Sequence, residues 1–397
     1  MPETKYMQVD PRRDHKFQIP RPDLSVKLDI PNPCNKCHTD KSAQWAADKI
    51  NKEYPSTREE RENDIHDAEI FAAGQQGKQE AKAGLFTIIN NKEKPVIIRA
   101  SALNILSGLR GNDALDVTAL SLTDEDPLVR YEAVRGISSL IPKALAPAEQ
   151  EKKYSLLVPL LRDPIIAVRS ETARALTEVP ATFFAQNDLK DFEKALEEYK
   201  QRQDSIADRP EAHLNMGIMY ENIGENDMAE ASYKAAIRLA NDFYPARFNL
   251  ANYYNKLNKN NDAEQQFREI IALDPENGDA HYSLGLLLSE MKRLDDAVKP
   301  LKRASELMPE RARVRYNYAL VLQSLGRLSE AESEMLKAYR ADMSDPNIVY
   351  ALTVFYAQQG RWNKALPFAQ KLVELLPGAP RALQLLKQIE QEMPARK

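Results

Sequence analysis

The sequence predicts an all-α solenoid led by a proline-rich coil, and three observations predict it. Small residues recur at Gly217, Ala251, Gly285, Ala319 and Thr353, each 34 positions after the last. A looser pattern of proline, apolar pair and arginine recurs upstream of them. The first 40 or so residues carry Pro2, Pro11, Pro20, Pro22, Pro31 and Pro33 without any helical apolar period. A chain of 397 residues exceeds what one hydrophobic core usually serves, so several units or one elongated array are expected.

In chain order, the opening segment reads as extended coil that cannot build a core of its own. From Lys41 the pattern turns helical: Ser42 suits a helix cap before Trp45, Ala46 and Ile50, and the next helix is expected to carry Ile65, Ala68 and Phe71.

Between about residues 68 and 179 the looser motif appears three times. Pro95 precedes Arg99 and Ala102, Pro127 precedes Arg130 and Ala133, and Pro164 precedes Arg169 and Thr172. Proline suits the first turn of a helix, where its missing N–H does no harm. The small residue three places after each arginine lets neighbouring helices approach. This pattern resembles HEAT repeats, irregularly spaced.

Further on, a second small column runs through Ala195, Ala229, Ala263, Ala297, Ala331 and Ala365, and a bulky one through Tyr220, Tyr254, Leu288, Leu322 and Tyr356. Gly224, Asn258, Gly326 and Gly360 suit turns between paired helices. Period and residue types resemble tetratricopeptide repeats over about residues 190–379. The expected organisation is 1–60 with the cysteines, 61–180 HEAT-like, 188–379 tetratricopeptide, and 380–397 a capping helix and tail. The resemblance implies a scaffold that binds a protein along its first helices. Phe248, Tyr282, Tyr316 and Tyr350, with Leu214 before them, form a further 34-spaced column and are the candidate partner groove. The competing reading of that column is half-buried packing between neighbouring helices. Asn252, Asn255, Lys256 and Arg313 belong to the same face.

Acidic and basic residues nearly balance, 59 against 55, so no strongly basic nucleic-acid face is expected. Apolar runs such as 284–288 fall far short of the roughly 20 residues that cross a bilayer. No Ser/His/Asp set, phosphate loop, Rossmann glycine pattern or H-E-x-x-H appears, so no enzyme is expected.

The chain's two cysteines stand together in Cys34-Asn35-Lys36-Cys37-His38. C-x-x-C-H is the pattern in which both thiols bond the haem vinyl groups and the histidine reaches the iron. A dithiol redox pair, a zinc site sharing His38, and an unused relic are the competing readings. The flanking residues 6–17 and 20–27, with Trp45-Ala46-Ala47, resemble the stretch around the last such motif in multihaem c-type cytochromes that bear C-terminal repeats. That resemblance implies one covalent haem c on Cys34 and Cys37, and His38 as proximal iron ligand. It also implies further haems and a secretory signal upstream, with Met1-Pro2-Glu3 looking like the continuation of a preceding motif, and hence a periplasmic or otherwise extracytoplasmic location. Residues 1–5 do not themselves read as a secretory signal.

No methionine occurs between Met7 and Met216, so a histidine is the expected sixth ligand: His15 first, His66 as the alternative. The function expected is electron transfer, with the repeats docking a redox partner or other subunits of a multihaem assembly. The alternative is a non-redox interaction scaffold with a vestigial or zinc-binding motif.

Overall fold

A computed structural model describes residues 3–6, 10–13, 20–59, 65–143 and 146–392. These contain 22 α-helices and one small ribbon, and the chain divides into two units, residues 1–202 and 203–397.

The first unit opens with an antiparallel ribbon, β1 (Glu3–Tyr6) and β2 (Asp10–Arg13), in which Glu3 lies opposite Arg13. Next come α1 (Pro22–Leu28), α2 (Pro33–Cys37) and α3 (Ala43–Glu53). This corrects the expectation of featureless coil to about residue 40. Pro22 and Pro33 each sit at the start of a helix, the position that tolerates proline, so they segment the chain rather than dissolve it. Asp29 turns the chain out of α1 in a left-handed conformation, φ 53°. Ser42 caps α3 as expected, its hydroxyl accepting from the Trp45 N–H at 3.2 Å. Helix α1 packs against α3, with Leu24, Ala46 and Ala47 buried.

Eight helices come after these: α4 (Asp67–Gln75), α5 (Ala81–Asn90), α6 (Val96–Leu106), α7 (Asn112–Leu120), α8 (Pro127–Leu140), α9 (Pro147–Leu157), α10 (Ile166–Leu176) and α11 (Gln186–Asp204). The unit boundary falls within α11. Ile65, expected inside a helix, lies before α4 and is exposed, because His66 caps that helix. Of the three motif prolines only Pro127 occupies a first helical position; Pro95 is the residue before α6, and Pro164 precedes α10 by two.

Helices α6, α8 and α10 stack side by side, and the small residues Ala102, Ala133 and Thr172 are fully buried between them and their neighbours. The arginines form a ladder. Arg99 pairs with Asp124 and donates from Nε to the Ile89 carbonyl at 2.9 Å. Arg130 binds both carboxylate oxygens of Asp163, at 2.7 and 3.1 Å, and the Asp124 carbonyl at 2.8 Å. Arg169 repeats this on Glu198 of α11, at 2.6 and 2.9 Å. Arg130 and Arg169 thus tie the loop before their own helix to the next rung, and Arg99 ties the end of α5 to it, a geometry suited to a planar fork of donors. Nearby, Lys153 is fully buried and ion-paired with Glu178 at 2.5 Å; burial pushes its pKa down against the pull of that carboxylate.

The second unit is five helix pairs and a terminal helix. The pairs are α12 (Pro210–Ile223) with α13 (Asn226–Leu239), α14 (Tyr244–Lys256) with α15 (Asn260–Leu273), α16 (Gly278–Glu290) with α17 (Leu294–Leu307), α18 (Ala312–Ser324) with α19 (Leu328–Ala341), and α20 (Pro346–Gln358) with α21 (Trp362–Leu375). Helix α22 (Pro380–Glu392) packs on α21 in the expected capping position.

The small column is where paired helices meet. A Cβ at Gly217 would lie 2.5 Å from the Tyr233 ring, and one at Gly285 would lie 2.4 Å from Leu301 Cγ. Ala229, Ala263, Ala297, Ala331 and Ala365 are fully buried opposite. Every pair turns through a left-handed residue at the same register: Gly224, Asn258, Lys292, Gly326 and Gly360. The next N–H closes a bond to the carbonyl five residues back, Glu225 to Tyr220 at 2.9 Å and Arg293 to Leu288 at 2.9 Å among them. Lys292, with φ 63°, escapes a reading that looks for glycine or asparagine.

Two polar columns hold one pair to the next. His213, Arg247, His281 and Arg315 each reach the carbonyl six residues earlier, in the loop that follows the preceding helix, at 2.9, 3.2, 3.0 and 3.1 Å. Those carbonyls have no helical partner, so the column is structural. At the head of the second helices, Lys259, Arg293 and Arg361 pair with Glu230, Glu264 and Glu332 of the preceding pair, at 3.4, 2.6 and 2.6 Å. No described helix is long and apolar enough to cross a membrane.

Candidate functional site

The cysteine pair lies on α2, a single helical turn. Pro33 starts it, and the Asn32 side chain accepts from the Asn35 N–H at 3.1 Å. Residues three apart share a helix face, so Cys34, half-buried, and Cys37, exposed, sit on one side, and both are free thiols. The Asn35 carboxamide ties this turn to the loop leading into α3. It donates to the Lys41 carbonyl at 2.7 Å and the His38 carbonyl at 3.4 Å, and accepts from Asn32 at 2.7 Å. His38 ends the helix with its ring against Trp45, centroids 4.9 Å apart.

Haem c attachment calls for two accessible thiols one turn apart and an adjacent imidazole, and these residues fit it. Among the described residues no three His, Cys, Asp or Glu side chains gather as a metal cage. His15 lies outside the described residues. His66 is the N-cap of α4: its Nδ1 accepts from the Ala68 N–H at 3.1 Å, and Glu69 completes the capping box. A neutral imidazole that accepts at Nδ1 carries its proton on Nε2. Iron ligation through Nε2 would require the proton to move to Nδ1 and the cap to open. The Lys27–Glu69 pair, at 3.0 Å between α1 and α4, anchors this segment on the repeats.

The aromatic column lies on the first helix of each pair in the second unit. Phe248, Tyr282 and Tyr316, like Leu214, are half-buried against the core, while Tyr350 is half exposed. Phe248 meets the Phe267 ring at 5.9 Å, and burial raises the Tyr316 pKa. Each successive pair of first helices is joined by one polar bond spanning 35 residues. Lys256 reaches Glu221, Asn255 donates to Glu290 at 3.0 Å, Asn317 donates to the Tyr282 hydroxyl at 2.5 Å, and Gln323 donates to Gln358 at 3.2 Å. The column is therefore partly packing and partly surface, with the wetter end at Tyr350.

No curated protein matches the chain in sequence. Among solved structures it is similar to YrrB, described as a TPR protein with an unusual peptide-binding site, at 24% identity over 47% of this chain and 96% of that one, TM-score 0.40. It is similar to MamA at 22% identity over 40% and 94%, TM-score 0.37, and to pilF of Pseudomonas aeruginosa at 22% over 48% and 86%, TM-score 0.40. Tetratricopeptide repeat models match residues 210–243, 248–307 and 293–346. Residues 210–243 and 248–346 accordingly carry tetratricopeptide repeats.

Proposed function

We propose that the chain is a docking scaffold that captures a protein partner along the first helices of its tetratricopeptide pairs. The observation that carries this reading is the 34-spaced column of Phe248, Tyr282, Tyr316 and Tyr350, of which the first three are half-buried and Tyr350 is half exposed. Tyrosine offers large contact area and a polar tip, which suits protein recognition. The test compares wild type with Tyr316→Ala/Tyr350→Ala, matched for helix content by circular dichroism, in pull-downs from the native extract. The double variant should lose the proteins the wild type retains; equal retention removes the aromatic column from the site.

A second reading adds haem c on Cys34 and Cys37 with His38 toward the iron, and so a redox partner or a multihaem assembly in an extracytoplasmic compartment. Its support is the placement of both free thiols on one turn of α2 with the imidazole next to them. Bound there, haem would supply one-electron transfer. This chain's part is to hold the thiols on one face through Pro33 and Asn32, and to fix the His38 backbone through Asn35. Of the two distal candidates His15 is preferred, since His66 is engaged as a cap. A pyridine haemochrome spectrum of protein made with c-type maturation should show haem that survives denaturation; its absence leaves the scaffold alone.

A further inference from the structure

Resting on the haem reading, we propose that Trp45 is a positioning residue that fixes the orientation of the His38 imidazole before haem arrives. The backbone of His38 is held on both sides: its N–H donates to the Cys34 carbonyl at 2.9 Å, and its own carbonyl accepts from Lys41 N–H at 3.1 Å and Asn35 Nδ2 at 3.4 Å. Those bonds leave the rotation of the ring free. Among the described residues, the contact that restrains the ring is the indole of Trp45, 4.9 Å between centroids and tilted by 56°.

The Trp45 backbone is itself held: its N–H donates to the Ser42 hydroxyl at 3.2 Å, and the next two residues, Ala46 and Ala47, are buried as α3 packs against α1. The half-buried indole thus extends from a Cα fixed in the first turn of α3. A metal bound to an imidazole lies in the plane of the ring, along a nitrogen lone pair. An indole tilted against the ring restricts its rotation, and bound iron would inherit that restriction. Ring positions set in advance lower the entropy a ligand must lose on binding, the general advantage of a supporting shell around a metal ligand.

The test has two arms, with Trp45→Leu and Trp45→Phe in the full chain and helix content checked by circular dichroism. In haem-free protein, the His38 ring protons should be displaced upfield by the indole in nuclear magnetic resonance spectra. Trp45→Leu should abolish the displacement and Trp45→Phe should keep part of it. In chain matured with haem, Trp45→Leu should retain covalent haem but change the low-spin electron paramagnetic resonance g-values, with Trp45→Phe nearer to wild type. Unchanged His38 resonances in Trp45→Leu overturn the contact, and unchanged g-values overturn the positioning role. A wild-type chain that takes up no covalent haem overturns the haem reading instead, and the haem-free arm distinguishes that failure from loss of the ring contact.

Discussion

The two units hold neighbouring helices in register by opposite means. In residues 1–202 the rungs are charges: Arg99, Arg130 and Arg169 reach Asp124, Asp163 and Glu198, and the first two carboxylates are almost wholly buried. In residues 203–397 the rungs are absences of side chain, as at Gly217 and Gly285, with ion pairs left nearer the surface. A charge ladder tolerates irregular repeat length, since a long side chain reaches across a variable loop. A steric column does not, which explains why the 34-residue period is strict in one region and the arginines stand 31 and 39 apart in the other.

The contrast predicts different failures, and the two tryptophans, Trp45 and Trp362, place one fluorescent probe in each unit. The largest effect belongs to Arg130→Ala, which leaves Asp163 buried without its bidentate partner and should destabilise the first unit by about 3 kcal/mol. Urea unfolding tracked through Trp45, in a Trp362→Phe background, reads it; a loss near zero would show that the ladder is not what holds the register.

Next is Gly285→Leu, which overpacks the contact with Leu301 and should cost about 1–3 kcal/mol in the Trp362 transition alone. A shift in the Trp45 transition as large as that would show that the two units unfold together.

A similar magnitude is expected from acid. Burial alone would raise the Asp124 carboxyl, but hydrogen bonds from Arg99 and Lys92 outweigh it and hold its pKa at about 2. A lowered native pKa means the contribution is present above the unfolded value and lost as pH falls from there toward 2, on the order of 2 kcal/mol in all. Asp124→Asn should flatten that part of the pH profile of the first unit. A profile identical to wild type would place the acid sensitivity elsewhere.

The smallest effect is a gain. Lys292 alone among the five turns holds a left-handed conformation with a long side chain, so Lys292→Gly should stabilise the second unit by about 0.5–1 kcal/mol, read as a higher urea midpoint through Trp362. Destabilisation would mean that the lysine side chain contributes more than its backbone strain costs.

The strict period made the second unit legible from sequence, because packing columns demand residue types as well as spacing. Its polar columns were not legible: His213, Arg247, His281 and Arg315 share a task but not a chemistry, and only the carbonyls they reach reveal it. In the first unit the arginines were visible and their partners were not, since Asp124 and Asp163 lie in loops of variable length. The proline-rich opening departs from the expected coil for a local reason: proline breaks a helix in its interior and favours one at its start, and composition does not say which. The cysteine spacing announces two thiols on one helical face, whereas the capping role of His66 depends on a bond to Ala68 that no spacing announces.

The four 35-residue bonds that join successive first helices also set a mechanical property. A hydrogen bond tolerates less than about 1 Å of extension before it fails. Four such junctions in series let the row of first helices stretch by only a few ångströms before bonds break one after another. The row behaves as a short, stiff spring, so in the docking proposed above a partner would match its existing pitch, and one that did not would first have to break Asn255 from Glu290 or Asn317 from Tyr282.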